Sequence, residues 1–132
     1  MASRNLYDLH PQLQQKAASF LTACKLAGID VAITCTYRSN AEQAKLYAQG
    51  RTAPGKRVTN AKPGQSLHNL VDALGHPASW AIDVVPLRHG KAVWDAADPI
   101  WMQVGQFGES AGLEWGGNWK KFKDFPHFQV RP

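Results

Sequence analysis

Residues 66–85 read SLHNLVDALGHPASWAIDVV. The last six, Trp80 to Val85, are apolar or small except for Asp83, and a proline follows at position 86. A short apolar run closed by proline reads as a buried strand. A carboxylate inside such a strand is costly unless it is paired or bound to a metal. Alternation puts Ala81, Asp83 and Val85 on one face, so the aspartate stands among small and apolar neighbours. Two histidines, His68 and His76, precede it. Two histidines and one carboxylate make a catalytic zinc triad. The stretch thus predicts a strand that delivers a metal ligand, and it leaves open which histidine joins Asp83.

The rest of the chain supplies elements to surround that strand. Pro11 suits the first turn of a helix. Leu13, Ala17, Phe20, Leu21 and Cys24 follow at helical spacing, and Gly28 caps the end. Val31, Ile33 and Cys35 alternate as a strand does. Ser39-Asn40-Ala41-Glu42 reads as a capping box that opens a short helix ending by Gly50. Residues 51–65 are rich in Gly, Pro, Thr, Asn and Lys and form a long loop, of a length that often carries function. His89-Gly90 suggests a hairpin turn into a strand near Ala92-Val93-Trp94. Asp98-Pro99 begins a third helix, which Gly112 stops. Trp115-Gly116-Gly117-Asn118 reads as a turn, and a last short strand covers Phe128 to Val130. Helices interleaved with hairpin-linked strands give an α+β class, with a small, mostly antiparallel sheet flanked by helices. Such a sheet can gather ligands from several strands on one surface.

The chain has 132 residues, 44% of them hydrophobic, which suits a single domain spanning residues 1–132 with a real core. No apolar run is long enough to cross a bilayer. The first residues, MASRNLYDLHPQ, do not resemble a secretory signal, so synthesis in a cytoplasm without self-directed export is expected. Cys24 and Cys35 read as buried free thiols, because neither has a CxxC-type partner for zinc and a disulfide does not fit that compartment. A net charge of +5 favours a polyanionic environment: nucleic acid, a membrane surface or a bacterial envelope. The tightest basic group, Trp119-Lys120-Lys121-Phe122-Lys123, carries no nucleic-acid motif, and no nucleic-acid partner is expected.

Other side chains suit chemistry. In Asp124-Phe125-Pro126-His127-Phe128, the proline stiffens the backbone ahead of His127. His127 can bind zinc through one ring nitrogen. Asp124 can then face the open, water-filled position and take a proton, unless the segment is simply a surface turn. Arg38 ends the strand Thr34-Cys35-Thr36-Tyr37, where it can hold a carboxylate or a developing oxyanion, or stand exposed beside the helix start.

Taken in order, several segments resemble one family. They are Ile33-Thr34-Cys35-Thr36-Tyr37-Arg38-Ser39, Glu42-Gln43, Leu46 to Thr52, Pro63 to Asn69, Ala81 to Pro86, Leu113-Glu114-Trp115-Gly116-Gly117-Asn118-Trp119 and Asp124 to Phe128. Together they are similar to the zinc L-alanyl-D-glutamate peptidases of phage endolysins and bacterial cell walls, which group with the VanY-like D-alanyl-D-alanine carboxypeptidases. The resemblance implies a hedgehog/D-Ala-D-Ala peptidase-like fold with the zinc site on the sheet. It implies metal ligands His68, Asp83 and His127, a catalytic carboxylate at Asp124 and a catalytic arginine at Arg38. Ser66 and Gln43 are candidate substrate contacts.

The chain departs from the family pattern between histidine and aspartate. The usual spacing of seven falls on His76, whereas His68 stands fifteen before Asp83. Ser66-Leu67-His68-Asn69 nevertheless matches the motif, and Leu74-Gly75-His76 does not. Residues 70–76 are therefore read as an inserted loop, with His68 the ligand and His76 the alternative; Asp72 is a minor competitor for Asp83. The expected function is Zn2+-dependent hydrolysis of a stem-peptide amide bond in bacterial peptidoglycan, L-Ala–D-Glu by resemblance, by a monomeric phage or prophage endolysin that reaches the wall after the membrane is permeabilised. Alternatives are a D-Ala–D-Ala carboxypeptidase or dipeptidase with the same metal chemistry, a non-catalytic envelope-binding module and a small basic nucleic-acid binder.

Overall fold

Local signals place the helices. His10 caps α1 (Pro11–Leu26): its Nδ1 accepts from the Gln12 N–H at 3.2 Å, and Pro11 fills the first position, where no N–H is needed. Both halves of the capping box form at α2 (Asn40–Ala48). Glu42 N–H donates to Ser39 Oγ at 3.1 Å, and Ser39 N–H donates to Glu42 Oε1 at 2.9 Å. The third helix, α3 (Ile100–Ser110), starts where Asp98 Oδ1 accepts from the Ile100 N–H at 3.0 Å. These assignments come from a computed structural model, which describes residues 2–132.

Five strands form one antiparallel sheet among the described residues: β1 (Asp30–Cys35), β2 (Ala81–Arg88), β3 (Lys91–Ala92), β4 (Glu114–Trp115) and β5 (His127–Gln129). The order is β1-β2-β5-β4, with β3 paired to the far end of β2. The β2–β3 hairpin turns through His89 and Gly90, at φ 53° and 75°, the positive pair that a two-residue hairpin turn requires.

The proline at position 86 does not end the strand. β2 continues through it to Arg88, with Pro86 opposite Val31. In a strand, a residue's nitrogen and carbonyl point the same way. The Pro86 carbonyl accepts from Val93 N–H at 2.9 Å, on the side away from β1. Its nitrogen therefore faces the stretch between the end of β5 and the start of β3, where no ladder bond is lost. Strand β4 was not foreseen either, since two residues carry no readable period. The last strand starts one residue earlier than expected, at His127.

Alternation along β2 and β5 sorts the sheet into two faces. Ile82, Val84 and Phe128 face α1 and α3, where Leu13, Ala17, Phe20, Trp101 and Val104 close the core. The Phe20 and Phe128 rings lie 4.5 Å apart. Each such side chain, fully buried, contributes about 1.5–3 kcal/mol relative to exposure. Helix α3 lies close to the sheet because position 108 is glycine: a Cβ there would stand 2.3 Å from the Phe128 ring. Asp83 and His127 occupy the opposite face, away from the helices.

Asp98 also holds Arg88 at 2.7 and 3.1 Å, tying the end of β2 to the start of α3. The Arg88 bond and the Ile100 N–H lower the Asp98 carboxyl to about 2. A carboxyl with a folded pKa below its unfolded one stabilises the fold above the unfolded value, and loses that contribution as pH falls through the folded one. The stability gap between native protein and Asp98→Asn should therefore be constant at neutral pH and close between about pH 4 and pH 2. Urea titrations across that range test this, and a gap that persists at pH 2 refutes it.

Candidate metal centre

The sheet itself delivers two of the expected ligands. Asp83 and His127 are direct cross-strand partners on β2 and β5, and Cys35 of β1 is opposite Asp83 on the other side. Paired residues on antiparallel strands have Cβ atoms about 5 Å apart, so three adjacent strands place Cys35, Asp83 and His127 in one row. His68 arrives from outside the sheet, on a one-turn 3-10 helix (Leu67–Asn69). Ser66 Oγ accepts the His68 N–H at 3.2 Å, and the Arg38 N–H donates to the His68 carbonyl at 3.0 Å. Both bonds fix the turn over the row.

The four ring nitrogens decide what this cluster can hold. His68 Nδ1 faces the Thr36 carbonyl at 2.9 Å, and His127 Nε2 faces Gln129 Oε1 at 2.7 Å. Both partners accept only, so each of those nitrogens carries the hydrogen. In the neutral rings the inner nitrogens are then bare. They converge on one carboxylate oxygen: His68 Nε2 lies 3.1 Å and His127 Nδ1 3.0 Å from Asp83 Oδ1. Lone pairs from three atoms meeting at this distance repel unless something positive enters among them. Donors about 2.0–2.2 Å from a tetrahedral centre stand roughly 3.3 Å apart, close to these separations. The donor set therefore fits a small divalent cation, with the outer nitrogens held as metal-binding histidines require.

Burial pulls the His68 imidazole down, but the Asp83 carboxylate overrides this and raises it well above the usual histidine range. Burial acts to raise Asp83, and the two histidines outweigh it, holding the carboxyl well below the usual carboxylate range.

Cys35 is a neighbour that the sequence did not suggest. Its sulfur, the His68 ring and Asp83 offer ligand atoms within 4.8 Å of one another, a group able to hold a metal ion. The sulfur, however, lies 3.5 Å from His68 Nδ1, the nitrogen already committed to Thr36. Asp83 and His127 meet at the other ring nitrogen, and that edge offers the complete set.

Arg38 extends over the row. Its Nη2 lies 3.7 Å from Asp83 Oδ2, and its Nη1 donates to Gln43 Oε1 at 3.0 Å. Gln43 was expected to touch substrate, but its side chain is fully buried, with its amide nitrogen donating to the Ala61 carbonyl at 2.8 Å. It has no face toward a ligand, and it bears on the site by aiming Arg38 and pinning the long loop of residues 51–65. Ser66, the other expected contact, caps the turn that carries His68.

Asp124 is exposed as a residue, yet its carboxyl belongs to the same electrostatic cluster. Desolvation and the nearby Asp83 charge raise it, against His127, His68 and Arg38. Its loop approaches β4 closely because residue 116 is glycine: a Cβ there would lie 2.3 Å from the Asp124 carbonyl oxygen.

His76 is elsewhere. Its side chain is 70% exposed and lies 3.5 Å from Asp72, in the loop closed by the Val71–Pro77 bridge, whereas His68 is 2% exposed. The structure thus brings together His68, Asp83, His127, Arg38 and Asp124, and leaves His76 and Asp72 outside. Sequence reasoning missed Thr36, Asn69 and Gln129. Thr36 acts through its backbone carbonyl and leaves no side-chain signal. Asn69 donates to the Arg38 carbonyl at 2.8 Å and accepts from Gly64 and Ser66. Gln129 stands two residues beyond His127 on the same strand face, a spacing that could have revealed it.

A family model described as D-alanyl-D-alanine carboxypeptidase matches residues 59–130, and a second with that description, VanY, matches residues 7–84. The chain belongs to this family. Membership makes it a metallopeptidase. Both matched stretches include His68 and Asp83, and the first also includes Asp124 and His127. The peptidoglycan L-alanyl-D-glutamate endopeptidase CwlK of Bacillus subtilis is 39% identical over 133 residues, covering 95% of this chain and 75% of that one. In fold, the chain is similar to the L-Ala D-Glu endopeptidase ChiX of Serratia marcescens, with TM-score 0.68 and 24% identity over 99% of this chain and 89% of that one. It is also similar to the LD-carboxypeptidase LdcB, with TM-score 0.67 and 17% identity over 92% and 58%.

The two histidines separate in a metal assay. His68→Ala should lose stoichiometric metal and His76→Ala should keep it, as measured by inductively coupled plasma mass spectrometry on purified protein. The opposite result would reverse the assignment.

Proposed function

We propose that this protein is a zinc-dependent peptidoglycan hydrolase that cleaves the L-Ala–D-Glu amide bond of the stem peptide. One observation carries the chemistry: His68 Nε2 and His127 Nδ1 meet at a single oxygen of Asp83, with both outer nitrogens already bonded. The bond assignment is supported by CwlK, at 39% identity. His68, Asp83 and His127 would hold the zinc, which when bound supplies Lewis acidity toward the scissile carbonyl and acidifies water. Asp124 takes a proton from the attacking water and returns it to the leaving amine. Arg38, aimed by Gln43, carries its positive charge to the oxyanion that develops on the substrate carbonyl. All these residues come from one chain, so the reading needs no second copy.

The family description favours a second reading, release of terminal D-Ala by the same chemistry. Digestion of purified peptidoglycan, read by mass spectrometry with and without chelator, separates the two. New amino termini on D-Glu, lost with chelator, are expected. Free D-Ala would move the assignment to a carboxypeptidase, and no new ends would refute the enzyme. In the same assay Asp124→Asn should keep its metal and lose about 10²–10⁴-fold in rate; a fully active variant removes Asp124 from its role.

We further propose that the protein acts as a phage or prophage endolysin, made in the cytoplasm and reaching the wall once the membrane is breached. The +5 charge supports attraction to an anionic envelope. No helix of the described residues is long and apolar enough to cross a membrane. Bacteria expressing the chain should stay intact until a permeabilising agent is added and then lose turbidity, while cells with Asp124→Asn should not. Lysis without the agent would refute this route.

A further inference from the structure

We propose that Glu114, which touches no reacting atom, is a positioning residue that prepares His127 for the cation by fixing which way the Gln129 amide faces. The inference rests on the metal-centre reading above and concerns residues behind the ligands.

A buried amide can be turned over with little change of shape, because its oxygen and nitrogen are nearly the same size. Gln129 is 5% exposed, so water does not choose its orientation. Glu114 does. Its Oε2 lies 2.9 Å from Gln129 Nε2, and a carboxylate can only accept. The amide nitrogen must face Glu114, which turns the amide oxygen to His127 Nε2 at 2.7 Å. That oxygen also only accepts, so the proton is kept on Nε2 and Nδ1 is left bare, aimed at Asp83. If residue 114 could donate as well as accept, Gln129 could turn its nitrogen toward the ring. The His127 proton would then move to Nδ1 and bond Asp83, in the place the cation needs.

The same carboxylate oxygen governs the ring from a second direction. It accepts from Trp119 Nε1 at 2.9 Å, and the Trp119 ring lies tilted against His127 with centroids 5.4 Å apart. Arg131 holds Glu114 through both carboxylate oxygens, at 3.0 and 3.2 Å, and keeps it charged and oriented. The chain of contacts therefore runs Arg131, Glu114, Gln129, His127, and every donor and acceptor in it is forced.

Zinc affinity by chelator competition tests this without relying on activity. Glu114→Gln, of unchanged shape, should weaken zinc binding about tenfold or more, the usual effect of losing a partner behind a metal ligand. The exchange Glu114→Gln with Gln129→Glu restores a fixed acceptor at position 129 and should recover most of that loss. An unchanged affinity in the single variant, or no recovery in the exchange, overturns the inference. A native protein with no zinc affinity overturns the metal-centre reading itself. Nitrogen-15 spectra of the native, metal-free protein give a reading that needs no variant: His127 Nε2 should carry a proton, and a bare Nε2 refutes the inference.

Discussion

Two imidazoles share one carboxylate oxygen, and the rest of the site is arranged to keep them from turning away. A histidine ring has two nitrogens, and a ligand is useful only if the right one is bare. Here each outer nitrogen is committed to an oxygen that cannot donate: a backbone carbonyl for His68 and a side-chain amide for His127. The cost is electrostatic. Asp83 is held ionised in a largely buried position, which is tolerable because positive charge or a cation always has a place beside it.

The fold meets that constraint by dividing its labour between two faces of one small sheet. The helix side is packed with Phe20, Phe128, Trp101 and Trp115, and makes β2 and β5 rigid. The other side of the same strands presents Asp83 and His127. Positions on strands are set by register, so a shift of one residue would turn both candidate ligands into the core. Precision at the site is therefore inherited from packing on the opposite face. The groups proposed to move protons or steady charge, Asp124 and Arg38, come instead from segments at strand ends. Buried neighbours aim them: Gln43 for Arg38, and the close approach at Gly116 for Asp124.

Residues 70–76, read from the spacing as an insertion, form a closed loop in the structure. The path from His68 to Asp83 is long in sequence, but the chain closes on itself at the base of this loop. Ala78 N–H bonds the Leu70 carbonyl, and Trp80 N–H bonds the Leu67 carbonyl. The loop is a closed excursion, and His76 goes out with it. Loops at the surface lengthen at little thermodynamic cost, so the spacing between ligands in sequence can vary while their separation in space does not.

Much of this was legible in the sequence because it depends on local chemistry. The capping box at Ser39, the helix after Pro11 and the turn at His89-Gly90 are written in neighbouring residues. The apolar strand around Asp83 announces itself by one charge that has no place there. The order of motifs named the residues that the fold gathers. Other features depended on tertiary structure. Pro86 sits inside a strand because its nitrogen faces a side where no partner strand runs, and no neighbour in sequence reports that. Gln43 is buried behind Arg38 rather than exposed to substrate, which depends on a loop some eighteen residues away. Cys35 lies beside His68, and Gln129 is turned by Glu114, through contacts that exist only once β1, β2, β5 and β4 lie side by side. Sequence determined which donors this protein owns. The folded sheet decided which nitrogen of each histidine is bare and where it points, because that depends on partners drawn from distant segments.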